Sequence, residues 1–371
     1  MKVAILLNRG RARLRTFGKH VLARGYEAAR GRGVERAFLP EFDAFARLLD
    51  DDPLVLSTER PIPFAELARC DLLIWEWGWT GVPAARAREI RRFCDLPMIV
   101  FPGPLDRFWR EVDPADVPAH LAALAATDGV GVMLRDTASA YAALAPHAHV
   151  FHMPVPVDVE RFAAIAAPPA ERDDVVLLTA PTRFCGSASQ LPITTHLAFR
   201  RLAAERPGLR GLCFAYDDEE RRQAETMLRD LELDELVEVR PYVRPLGRFL
   251  DVVKTCRLAM NLPHAVIQGR TALVTACLGI PLVASEEIET HRRLYPQTTV
   301  RWHDVDGAVA AAARVLDDAA FATTVRETAR AAVEYYAVPR ARQRLADAVD
   351  AIREARRRTS FVGVTAPSEG A

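Results

Sequence analysis

The chain has 371 residues and carries 49 basic and 49 acidic side chains, so its formal net charge is zero. That balance argues against nucleic acid as the main partner, because such binders carry a basic excess. Half of the residues are hydrophobic, which suits a globular protein of two ordinary domains, and no run approaches the ~18 apolar residues of a membrane span.

The opening "MKVAILLNRG" holds an apolar run too short for the core of a signal peptide. The six cysteines are scattered, without a Cys-x-x-Cys pair or zinc spacing, and a reduced, cytoplasmic protein is expected.

The first half alternates short apolar runs with amphipathic stretches. Strands are predicted at 2–7, 34–39, 53–57, 71–77, 97–101, 129–134 and 149–154, with helices between them, for example at 82–94 and 136–146. Near-continuous apolar strands separated by helices indicate a parallel sheet covered on both faces. After the first strand, "NRGRARLRTFGK" crowds Arg9, Arg11, Arg13, Arg15 and Lys19, a basic loop able to hold an anionic acceptor or a lipid-linked phosphate. "IWEWGWTG" places Glu76 at the end of a central strand among Trp75, Trp77 and Trp79. A carboxylate in aromatic surroundings has a raised pKa and suits a general acid or base, and aromatic faces suit sugar rings. Arg135 and Asp136 form a further pair at a strand end.

Residues 154–174, rich in proline and charge, read as a linker. A second alternation follows, with strands at 175–180, 211–216, 236–241, 257–263 and 280–285 and helices at 192–206, 217–231, 245–255 and 270–278. The expected fold is therefore α/β, two tandem Rossmann-like doubly wound domains. The expected division is an N-terminal domain at 1–155, a linker at 156–174, a second domain at 175–335, a helix at 336–358 packing back towards the first domain, and a disordered tail at 359–371. Gln268, Gly269, Arg270 and Thr271 stand where a strand ends and a helix begins. Backbone N–H groups there bind anions, and the glycine lets a diphosphate approach closely. An arginine in the first helical turn opposes the dipole by roughly 0.3–1 kcal/mol, which charge-assisted bonds to a diphosphate more than offset. Asp304 and Asp306 read as a helix N-cap.

These segments resemble the GT-B glycosyltransferases, specifically the family 4-like enzymes. "PVPVDVERF" (154–162) is similar to their hinge through Asp158 and Phe162. "ALVTACLGIPLVAS" (272–285) is similar to their donor segment through Gly279, Pro281, Val283, Ala284 and Ser285, and 304–349 follows their closing helices. The resemblance implies a nucleoside-diphosphate-sugar donor, no metal or other cofactor, retention of configuration, and a phosphate role for Arg183 as for Arg270. The departures are specific. The two glutamates that flank the family's donor turn fall on Val266 and Val274, and its N-domain histidine falls on Gly103. The lysine that should accompany Arg183 is missing. A ligand hydroxyl buried against valine lies unpaired at roughly 1–3 kcal/mol, so His264, Gln268, Glu286 and Glu287 are the nearby substitutes.

The resulting expectation is a metal-independent glycosyltransferase. It would act on a glycan, lipid-linked or small-molecule acceptor, with Glu76 catalytic and Trp79, Arg9 and Arg135 on the acceptor side. Peripheral membrane contact stays open. Two alternatives remain: a non-catalytic GT-B-like binding or partner protein, and a polysaccharide pyruvyltransferase-like enzyme.

Overall fold

The computed structural model describes residues 1–7, 44–57, 60–77, 84–102, 114–179, 193–215, 217–242, 246–264 and 268–362. The strand at 34–39, the basic loop from Arg9 to Lys19, Trp79, Arg183, Cys185 and the tail beyond 362 lie outside these residues. The chain divides into two compact units, one of residues 1–157 with 338–371 and the other of residues 158–337.

The described strands of the first unit are β1 (Val3–Leu7), β2 (Leu54–Ser57), β3 (Leu72–Glu76), β4 (Met98–Phe101), β5 (Gly129–Val132) and β6 (His149–His152). They form one parallel sheet in the order β2-β1-β3-β4-β5-β6. The helices α1 (Ala84–Phe93), α2 (Val117–Ala125) and α3 (Ala138–Leu144) cover one face.

The second unit adds β7 (Asp173–Leu178), α4 (Ile193–Glu205), β8 (Arg210–Ala215), α5 (Asp218–Asp230), β9 (Val237–Pro241), α6 (Leu246–Val253) and β10 (Cys256–Asn261). It continues through α7 (Arg270–Leu278), β11 (Leu282–Ser285), α8 (Glu289–Leu294), β12 (Thr299–Val300), α9 (Val305–Asp317) and α10 (Ala319–Val333). Its strand order, β12-β11-β10-β7-β8-β9, is that of the doubly wound dinucleotide-binding fold. The two-residue β12 has no counterpart in the sequence reading, because "TV" beside polar neighbours gives no periodic signal.

The last helix, α11 (Val338–Val362), returns to the first unit. Its Ala341, Leu345, Val349 and Ile352 close the sheet face that carries Val3, Ile5, Ile74, Ile99 and Phe101. Each large aliphatic side chain buried in this way stabilises by roughly 1.5–3 kcal/mol. Asp128, just before β5, fixes the helix to the sheet. It accepts from Arg356 at 2.9 Å, from Arg91 of α1 at 2.5 Å and from the Met98 N–H at 2.7 Å.

Arg172 performs a similar task in the second unit. Its guanidinium donates to the carbonyls of Cys256 (3.0 Å), Ala167 (3.2 Å) and Leu278 (2.8 Å). A cation here meets the negative end of α7 and ties that helix to the start of β10. Burial pushes its pKa down to about 10, so the charge persists at neutral pH. Replacing Arg172 by Met leaves three carbonyls without their donor. Bonds to a charged group are worth about 1.5–3 kcal/mol. A urea titration should show the transition of the second unit at lower denaturant, with the loss in that range.

Candidate functional site

Open parallel sheets bind ligands beyond the carboxyl ends of their strands, where the strand order reverses. In the second unit that point lies between β7 and β10, the first and fourth strands in chain order. Two side chains meet there: the Thr179 hydroxyl donates to Asn261 Oδ1 at 2.9 Å. Thr195 of α4, fully buried, accepts from the Leu262 N–H at 2.9 Å. These polar groups interrupt otherwise apolar strand ends, and the sequence reading did not single them out. A lone asparagine closing a buried strand was the available signal.

The turn into α7 leaves from the same edge. Gly269 caps the helix at φ +64 and has no side chain to bond the first-turn N–H groups. No acidic residue occupies that turn. The cap therefore presents backbone donors and the positive end of the helix dipole, as an anion site requires. Arg270 is exposed at the rim, and its Nε donates to Gln268 Oε1 at 3.3 Å. Thr271 is half-buried in the first turn. His264, also exposed, stacks obliquely against Trp302 with ring centroids 4.7 Å apart. Trp302 is a neighbour that the sequence reading omitted. Val274, which stands where the resemblance places a glutamate, is half-buried one turn further along α7.

The segment from β11 to α8 closes around this turn. Thr290 Oγ1 donates to the Gln268 carbonyl at 3.0 Å. A Cβ at position 269 would lie 2.8 Å from Thr290 Cβ and 3.0 Å from Ile288 Cγ2. The Ser285 hydroxyl donates to the Pro263 carbonyl at 2.8 Å. His291 is fully buried, with Nδ1 3.1 Å from the Ser285 carbonyl. A carbonyl can only accept, so Nδ1 carries the proton and Nε2 holds a lone pair. Burial lowers the pKa of this imidazole to about 4. Glu286 is exposed, 3.6 Å from Arg301, whereas Glu287 is half-buried. Asp304 accepts from the Gly307 N–H at 2.8 Å and is the N-cap of α9.

In the first unit the chain reverses at β1, and Glu76 pairs in register with Leu7 at that point. Glu76 is 9% exposed. Successive strand residues face opposite ways, so Glu76 lies on the α11 face with Leu72 and Ile74. Trp75 and Trp77 lie on the other face, with Trp77 edge-on to His120 at 5.9 Å. The expectation that these tryptophans surround Glu76 is thereby corrected. Phe101, its in-register neighbour on β4, is the aromatic residue beside it. Arg135 is exposed in the 3-10 turn Arg135–Thr137 after β5.

Two predictions follow from this geometry. Gly279, the other end of α7, has φ +65 but no atom closer than 3.7 Å to an added Cβ. An alanine there carries only the cost of a left-handed backbone, about 1 kcal/mol. Gly269→Ala adds a clash with Thr290 Cβ and Ile288 Cγ2 and should cost about 2–4 kcal/mol. Denaturant titrations of the two variants should separate by about 1–3 kcal/mol. The second concerns pH. His291 has a folded pKa below its unfolded value, so its contribution is complete above about pH 6.5 and is lost as pH falls towards 4. The slope approaches about 1.4 kcal/mol per pH unit. His291→Asn should lower stability at pH 7 yet flatten the profile in that window.

No family model matches the sequence, and no curated protein is detectably similar to it. Solved structures do match. A UDP-forming α,α-trehalose-phosphate synthase from Burkholderia xenovorans has TM-score 0.64 at 12% identity, over 95% of this chain and 100% of that one. HepE from Anabaena, crystallised with UDP, has TM-score 0.64 at 15% identity, over 95% and 100%. The α,α-trehalose 6-phosphate synthase from Burkholderia multivorans has TM-score 0.60 at 15% identity, over 83% and 74%. Together with two parallel α/β units and a last helix returned to the first, these likenesses give the chain the GT-B fold.

Proposed function

We infer that the chain is a glycosyltransferase that moves a sugar from a nucleoside diphosphate to an acceptor hydroxyl. The observation that carries this reading is the uncapped, glycine-led start of α7, which opens at the switch-point edge of the second sheet with Arg270 at its rim. That arrangement fits a diphosphate, and the likeness to a protein crystallised with UDP supports the same class of ligand.

In the reaction, the bond between the anomeric carbon and the diphosphate oxygen breaks, and the electron pair leaves with the diphosphate. The acceptor oxygen bonds to that carbon and gives up its proton. The charge that develops on the leaving group is met by the N–H groups at the start of α7 and by Arg270, with Arg183 as a second cation after β7. These groups supply the charge neutralisation without a metal. Glu76, at the switch point of the first sheet, is the candidate general base, and Trp79, Arg9 and Arg135 are the candidate acceptor contacts. A sugar-phosphate is a reasonable acceptor class, since a Burkholderia trehalose-phosphate synthase of like fold was crystallised with glucose-6-phosphate. Retention of configuration belongs to the same reading.

A binding protein without catalysis is the second reading, favoured by Val274 in place of a ligand-reading carboxylate. A thermal-shift screen with UDP, GDP, dTDP, CDP and ADP addresses both. One diphosphate at about 100 times its dissociation constant should stabilise the wild type by about 2.7 kcal/mol, and Arg270→Ala should lose most of that shift. Absence of a shift with all five removes the donor reading. A shift without turnover of the corresponding sugar nucleotide leaves the binding protein.

A further inference from the structure

The carboxylate missing from α7 has a counterpart elsewhere. Among the described residues, Glu287 Oε2 is enclosed and has no hydrogen-bond partner. Glu286 beside it is exposed and paired with Arg301. An enclosed carboxylate oxygen without a partner raises the free energy of the empty protein, and such groups call for a ligand, a water or a proton. His291 Nε2, four residues on, is a second acceptor in the same condition, in a side chain that is 0% exposed.

Position says what these acceptors serve. Ile288 and Thr290 touch the backbone of Gly269 closely enough to exclude a Cβ. Glu287 is therefore one residue from direct contact with the turn that would hold a diphosphate. The segment cannot drift: Thr290 is bonded to Gln268, Ser285 to Pro263, and His291 to the Ser285 carbonyl. The groups attached to a diphosphate in this class of molecule are two sugar rings, the ribose and the transferred sugar. Their hydroxyls are donors, and Glu287 Oε2 and His291 Nε2 are acceptors.

We propose that Glu287 is a specificity-determining residue whose carboxylate accepts a hydrogen bond from a sugar hydroxyl of the nucleotide-sugar donor, in place of the glutamate that Val274 lacks. The proposal rests on the donor reading above. His291 positions the segment by holding the Ser285 carbonyl.

The test measures dissociation constants by calorimetry. The ligands are whichever of UDP, GDP, dTDP, CDP and ADP stabilises the chain most, and its glucose conjugate, on the wild type, Glu287→Ala and Glu287→Gln. Loss of one bond to a charged acceptor predicts about a 10- to 100-fold weaker complex with Glu287→Ala, and a smaller loss with Glu287→Gln, which keeps an acceptor. Weakening of the glucose conjugate alone assigns Glu287 to the transferred sugar, and equal weakening of both ligands assigns it to the ribose. Without ligand, Glu287→Gln should unfold at an unchanged or higher temperature, because an unsatisfied charge is removed. Wild-type affinities in Glu287→Ala, with or without a lower unfolding temperature, overturn the proposal and leave the donor reading standing. A wild type that binds none of the diphosphates or their conjugates overturns both.

Discussion

The second unit depends on one close approach, the backbone of Gly269 against Ile288 and Thr290. No side chain fits between them, so the start of α7 and the start of α8 behave as one piece. The Thr290–Gln268 and Ser285–Pro263 hydrogen bonds close the same joint from either side. An anion site made of backbone N–H groups is useful only if those groups cannot turn away to bond elsewhere. The left-handed glycine and its packed partner supply that rigidity.

The far end of α7 is held with equal care. Gly279 ends the helix in a left-handed conformation, and Arg172 bonds the Leu278 carbonyl, so the negative end of the dipole meets a buried cation. Tyr295 adds a bond to the Ile280 carbonyl and one to Thr275, both at 2.9 Å. A nine-residue helix is marginal by itself. Fixed at both termini, it becomes a stiff support whose free face is its first turn. The first unit uses a different fastening, the Asp128 carboxylate shared between Arg91 and Arg356. The purpose is comparable, because it sets α11 against the sheet whose reversal point carries Glu76.

Helix α7 carries no carboxylate, yet polar groups lie beside its first turn. Acceptors lie on the next segment, at Glu287 and His291, and His264 with Trp302 provides an aromatic surface at the end of β10. A valine at 274 packs where a charge would need a partner, which relaxes one constraint on the helix. The adjacent segment then carries the polar groups, and its tight fastening to the turn follows naturally from that demand.

The sequence by itself determined every described strand except β12, most of the described helices and the doubly wound class. Runs such as Leu72–Glu76 and Cys256–Asn261 are apolar on both sides, which only a sheet covered by helices on each face can use. It also marked the Gln268–Thr271 turn, because a glycine between a strand and a helix has few other physical meanings. Other features were decided by tertiary structure. Trp75 and Trp77 were close to Glu76 in sequence but lie on the opposite face, since a strand alternates. Thr179 and Asn261 are 82 residues apart and meet only because β7 and β10 are neighbours. Glu287 stood out only as a carboxylate near the turn in sequence and His291 not at all; that their segment packs against Gly269 depends on Ile288 and Thr290. Periodicity reports which way a residue faces relative to its own element; what it faces depends on which element the sheet order brings beside it.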